Sequence, residues 1–292
     1  MNRQPSFSDW AILFLLALMW GASFLMIKKA LVVYDPVQCA FMRMGMATAV
    51  YLPLAVLYFK KIDWSKWRPL LVVALCGSGI PNYFFALAQT KVSSSLAGIL
   101  NSLTPLFTLL LGVLFFDMRS SRHKAIGVGL GLAGAVLLML FGRGLTAKIG
   151  GESLFAIFCM LATICYAINA NTVQRHLTGV HPVAIGAASF FLTGPVYLAG
   201  VYFSGAWDAT WAHPSPGQAV GSLAYLAIIG TAAASMLYFY LLQQTSAIFA
   251  TSVTYLLPVI AIVLGILDGE EVTLVHFAGT ALILTGLYLA RK

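Results

Sequence analysis

The chain has 292 residues, 60% of them hydrophobic and only 9% charged, with a mean hydropathy of +0.90. Soluble domains carry about 25% charged residues, so this composition excludes an ordinary soluble enzyme, a disordered chain and a disulfide scaffold. The formal charge of +8 rests on 17 Lys and Arg set in short loops between apolar runs, which argues against a nucleic-acid surface and for a polytopic membrane protein.

In chain order, runs of near 20 apolar residues fall at 10–28, 37–59, 70–90, 95–116, 124–141, 153–174, 182–203, 219–242, 247–267 and 273–290. Each suits a bilayer core of about 30 Å at 1.5 Å per residue, so the fold predicted is all-α, with ten transmembrane helices. The first run is longer than the roughly 7–15 residues of a signal core and lacks an A-x-A site, so it reads as a retained span. The longest gaps, 60–69, 142–152 and 204–218, leave no room for a soluble domain. Cys39, Cys76, Cys159 and Cys165 lie in apolar runs without a C-x-x-C pair and read as buried small hydrophobes.

Ten spans put both termini on one side. With the N-terminus cytoplasmic, eleven basic residues face inward: Arg3, Lys60, Lys61, Lys66, Arg68, Arg119, Arg122, Lys124, Arg175, Arg291 and Lys292. Five face outward: Lys28, Lys29, Lys91, Arg143 and Lys148. The excess predicts cytoplasmic termini.

The second half echoes the first. Gly77 through Asp117 aligns without gaps on Gly230 through Glu270 at an offset of 153, matching Pro105 to Pro258, Gly112 to Gly265 and Asp117 to Glu270. At an offset of 146, Asp35-Pro36 falls on His181-Pro182 and Lys28-Lys29 on Gln174-Arg175. Beyond a one-residue slip, Gly127 and Gly134 match Gly279 and Gly286. The halves divide as 1–146 and 147–292. Five spans is an odd number, so the two units cross the membrane in opposite senses. That is the arrangement by which many carriers build two alternating openings around one midplane cavity.

Polar groups inside hydrocarbon are costly, and those present mark candidate sites. Trp20 and Ser23 sit three apart near mid-depth of the first helix, and Tyr166 and Asn169 repeat the spacing at matching positions of the sixth. An aromatic ring beside a small polar group, presented twice, suits an aliphatic or aromatic side chain. Arg43 is the sole charge well inside a span, about six residues from its outer end. It either snorkels to the interface or binds a carboxylate at the outer rim of a cavity.

The third helix reads "CGSGIPNYFF", where Pro81 displaces the carbonyl of Gly77. Asn82 and Tyr83 follow and, with the freed carbonyls, can hold an ammonium; packing and kinking are the plainer roles of such a segment. In the fourth helix Ser94, Gly98 and Ser102 form a small-residue stripe for close helix approach, with Asn101 beside it. Tyr238, Gln243, Thr254 and Tyr255 add candidate polar lining from the second half. No Asp or Glu lies mid-span, which argues against proton-driven expulsion of cations. His123 and His276 stand at helix ends on opposite sides of the membrane and cannot share a metal, so neither metal nor cofactor is expected.

With ten spans, five-plus-five inversion and a Pro followed twelve residues later by an acidic helix end, the chain resembles the drug/metabolite transporter superfamily, EamA-type branch. The halves read Pro105, Gly112, Asp117, Gly127, Gly134 and Pro258, Gly265, Glu270, Thr273, Gly279, Gly286. Asp117 stands where that pattern has Glu, and His123 and His276 stand near its usual Gln. More narrowly, "LMWGASFLMIKKAL" and Gly77 to Asn82 are similar to bacterial inner-membrane exporters of aromatic amino acids. The resemblance implies export of amino acids with broad selectivity, without a cofactor, from a bacterial cytoplasmic membrane; a monomer is compatible with it. Fold alone does not choose the substrate, and other small metabolites, phosphorylated sugars, or a receptor or structural subunit are the competing readings. Enzyme signatures such as H-E-x-x-H, G-x-S-x-G or a Walker loop do not occur in the sequence.

Overall fold

Several spans begin where a side chain or a proline can deal with the first backbone donors. Asp9 accepts the Ser6 N–H at 2.7 Å at the first helix start. Asp35 accepts from the N–H groups of Val37 and Gln38, and His181 Nδ1 accepts from Val183, with Pro36 and Pro182 opening the helices that follow. The Asp35-Pro36 and His181-Pro182 match in sequence is thus a match of helix caps.

The computed structural model describes residues 5–116, 122–141 and 154–290, and every described element is helical. Among the described residues, eight helices are long and apolar enough to cross a membrane. They are Phe7–Ala30 (span 1), Pro36–Lys61 (span 2), Trp64–Ala88 (span 3), Ser94–Phe115 (span 4), Ala156–His176 (span 6), Pro182–Phe203 (span 7), Gly217–Gln244 (span 8) and Phe249–Leu267 (span 9). Shorter apolar helices, Ile126–Phe141 (span 5) and Leu274–Gly286 (span 10), stand where the fifth and tenth were expected. The division expected between residues 146 and 147, Asp117, and the basic residues Arg3, Arg119, Arg143, Lys148, Arg291 and Lys292 lie outside the described residues.

Span 1 packs on spans 8 and 9, and span 6 on spans 3 and 4; span 2 pairs with span 7, and span 5 with span 10. Exchanging the two halves leaves these pairings unchanged. Lipid gives helices no hydrophobic reason to associate, so close approach of small residues carries much of this packing. A Cβ on Gly134 would lie 2.9 Å from the carbonyl oxygen of Gly279, which is why spans 5 and 10 need glycine where they cross. Gly98 likewise meets Ala261 of span 9, as expected for the Ser94–Gly98–Ser102 stripe.

Four spans are irregular, in matching places. Span 3 widens into a π-type turn at Leu75–Gly79, where the Ile80 N–H reaches back five residues to Leu75. Span 8 does the same at Ile228–Ala233, where the Ala234 N–H reaches Ile229. Pro81 follows the first turn, but Ala234 holds that place in span 8, so proline is not what both turns share. Spans 4 and 9 break midway, with Pro105 and Pro258 in the first turns of the segments Thr104–Phe115 and Leu257–Leu267. Residues 204–218, expected as a plain connection, contain a further short helix, Ala206–Ala212, that exposes Trp207 and Trp211.

Candidate functional site

Where the widened and broken segments face one another, the interior opens. The cavity holds about 810 Å³ of empty space, its mouth included, and is lined from spans 1, 2, 3, 4, 6, 8 and 9. Widened turns matter here because they leave carbonyls off the regular ladder and turn side chains inward.

Eight of the nine predicted binding residues line it: Trp20, Ser23, Arg43, Asn82, Asn101, Tyr166, Asn169 and Tyr238. Tyr83 does not; it points away, and its ring packs beside Phe84 at a centroid distance of 6.1 Å. Adjacent residues on a helix are turned by about 100°, and the rotation of span 3 brings Asn82 to the wall and leaves Tyr83 off it. Of the further candidates Thr254 lines the cavity, whereas Tyr255 does not, and Gln243 donates to the carbonyl of Val180 at one end of the bundle.

Arg43 is the one formal charge in the described lining, and it is only 7% exposed. Its position near the end of span 2 suggested a snorkelling side chain or a rim site; the structure instead turns it into the cavity wall. Its Nε donates to Thr231 Oγ1 at 3.0 Å. No Asp or Glu pairs with it among the described ion pairs. A lone buried cation costs several kcal/mol, a cost that a carboxylate entering the cavity would offset.

The matched pairs on spans 1 and 6 each face the widened turn of the opposite half. Trp20 Nε1 donates to the carbonyl of Gly230 at 3.0 Å, inside the turn of span 8. A Cβ on Gly230 would stand 2.8 Å from Ser23 Oγ, and one on Gly77 would stand 2.9 Å from Asn169 Oδ1. Glycine at both places lets the polar side chains of spans 1 and 6 lie against the turns. Asn169 lines the cavity, and its Oδ1, lodged against Gly77, is a buried acceptor without a hydrogen-bond donor in the described structure.

Aromatic rings supply the remaining surface. Trp20 meets Tyr238 edge-on at 5.3 Å, and Phe24, Phe85 and Tyr166 form a chain with centroid distances of 5.4 and 6.1 Å. The cavity thus combines one cation, neutral acceptors and aromatic faces, a set suited to a small molecule with one carboxylate and an apolar body. Among the described residues no group of three or more His, Cys, Asp or Glu gathers to hold a metal.

Thr231, Ser235, Thr104 and Thr251 line the cavity without having been singled out from sequence. For Thr231 a signal existed: the 153-residue offset lays it on Ser78, beside the Gly77–Gly230 match.

The EamA-like transporter family model matches the chain twice, at residues 9–140 and 153–291. The chain is 25% identical to an uncharacterized transporter of Archaeoglobus fulgidus, over 96% of this chain and 97% of that one. It is 28% identical to the uncharacterized inner membrane transporter YedA of Escherichia coli strain K12, over 95% of this chain and 88% of the relative. A solved crystal structure that is 18% identical superposes with a TM-score of 0.64, covering 98% of this chain and 97% of that one, and supports the fold.

Proposed function

This chain belongs to the EamA-like transporter family and is a membrane transporter, and we propose that its cargo is amino acids, aromatic and other, exported across a bacterial cytoplasmic membrane. Both termini are cytoplasmic in this reading, and the two inverted halves open the cavity to either side in turn. The observation that carries it is the buried Arg43 guanidinium, unpaired by any described carboxylate and set among the rings of Trp20, Tyr166 and Tyr238.

The roles divide by chemistry. Arg43, held by Thr231, takes the substrate carboxylate. Asn169 Oδ1, with Asn82 and Asn101 nearby on the wall, accepts from the ammonium. The aromatic faces take the side chain and, being sequence-neutral toward apolar groups, account for broad selectivity. A phosphorylated sugar asks for several converging cations, and the described lining offers one.

The test is efflux of labelled amino acids from proteoliposomes that contain the purified protein. Aromatic amino acids are expected to leave faster than from protein-free vesicles. Equal rates with and without protein for all twenty would overturn the reading.

A further inference from the structure

The charge balance of the cavity points to a wider substrate class. Its described lining contains one cation, Arg43, and no aspartate or glutamate. A monocarboxylate entering it leaves the site neutral. A zwitterion leaves it with one net positive charge, because its ammonium joins the guanidinium inside the protein, where like charges repel more strongly than in bulk water.

The side-chain acceptors of the described lining, among them Asn101, Thr104 and Thr254, are all neutral. Asn169 Oδ1 has no donor in the described structure. The Ser23 hydroxyl donates to the carbonyl of Met19 at 2.9 Å and Asn82 Nδ2 to the sulfur of Met44 at 3.3 Å, so Ser23 Oγ and Asn82 Oδ1 offer an ammonium lone pairs but no negative charge. By contrast the carboxylate position is built: Thr231 holds the Arg43 Nε, leaving the outer nitrogens of the guanidinium for an anion. The site therefore reads the carboxylate and only tolerates the amine.

Resting on the carrier reading above, we propose that this protein also binds and carries apolar monocarboxylates that lack an α-ammonium, meaning aryl- and alkyl-substituted carboxylic, 2-oxo and 2-hydroxy acids. These bind at least as tightly as the amino acids of the same side chain.

Three ligands that differ by single groups test this: L-phenylalanine, 3-phenylpropanoate without the amine, and 2-phenylethylamine without the carboxylate. Their binding to the purified full chain in detergent is measured by calorimetry at pH 7. The expected order is 3-phenylpropanoate equal to or up to about tenfold tighter than phenylalanine, with 2-phenylethylamine weaker by about a hundredfold. Phenylalanine binding about tenfold tighter than the des-amino acid would overturn the inference and leave the amino-acid reading standing. If the des-amino acid binds and phenylalanine does not, the inference stands and the amino-acid reading falls. Absence of binding by both overturns both. Arg43→Gln is expected to abolish binding of the acid, and unchanged binding in that variant would overturn the inference. The ordering of the three ligands is read on the unmodified chain and decides the question even if the variant does not fold.

Discussion

Glu270 accepts both the backbone N–H and the hydroxyl of Ser95, at 3.0 and 2.7 Å, across 175 residues of chain. Its other oxygen does the same for Ser94, at 3.0 and 2.8 Å. One carboxylate after span 9 thereby caps the N-terminus of span 4, where the helix dipole favours negative charge. Lys28 of span 1 joins at 3.0 Å and also meets Asp268 at 2.7 Å, so three spans are tied at one end of the bundle. At the opposite end Ala247, the match of Ser94, donates its N–H to Gln174 Oε1 at 2.9 Å, and Asp117, the match of Glu270, lies outside the described residues.

The first prediction concerns this tie. Desolvation pushes the Glu270 carboxyl up, but hydrogen bonds from Ser95, Ser94 and Lys28 outweigh it and hold the group down at about 2. A depressed pKa adds stability that is complete above the ordinary value of 4.5 and fades as pH falls from there through about 2. Glu270→Gln is expected to lower stability by about 1–2 kcal/mol at pH 7, read as an earlier thermal transition in detergent. The gap between the two proteins should hold down to about pH 4.5 and narrow below it. A gap that is constant down to pH 3 would show that the charge of Glu270 is not what ties the spans.

Trp20→Ala and Tyr166→Ala are each expected to cut amino-acid efflux about tenfold at similar protein levels, since each removes a ring of the cavity wall. Trp20→Phe separates the ring from the N–H that reaches Gly230. Efflux rates and membrane abundance measured together check this. Unaltered flux in both alanine variants would remove these residues from the site.

Thr231 acts through Arg43. Thr231→Val keeps the shape but strips the hydroxyl from the guanidinium Nε, and is expected to weaken ligand binding about tenfold. Thr231→Ser restores the hydroxyl and should restore binding, whereas a merely steric role would be served better by valine. Affinity of the three proteins for one ligand decides between these outcomes.

Glycine packing between spans 5 and 10 allows a paired comparison. Gly134→Ala places a Cβ against the Gly279 backbone and is expected to cost about 1–3 kcal/mol. Nothing lies within 4 Å of a Cβ built on Gly129, so Gly129→Ala should be neutral or slightly stabilising through helix propensity. Thermal unfolding of both variants checks the contrast; equal effects would mean that the crossing adjusts freely.

Much of the architecture was legible before any coordinates, for reasons that belong to the bilayer. Lipid offers no partner for a backbone donor, so helical runs near 20 apolar residues declare the spans, and Asp35-Pro36 and His181-Pro182 declare where two of them start. The matched residues of the halves declared which helices share a role, and Trp20, Ser23, Tyr166 and Asn169 all reached the cavity.

Other features depend on groups far apart in the chain. Counting residues along span 2 placed Arg43 near the rim, but the direction of a side chain depends on how its helix is rotated against neighbours. Span 2 packs along span 7, where Tyr51 stacks on Phe190 at 4.6 Å, and in that packing Arg43 meets Thr231. The widened turns likewise follow no local rule shared by Pro81 and Ala234; they form where Gly77 and Gly230 let Asn169 and Ser23 come close. Hydropathy and capping act within one helix and can be read from the chain alone. The choice between Asn82 and Tyr83 as a cavity residue, and the carboxylate that closes one end of the bundle, arise between helices, so only their packing decided them.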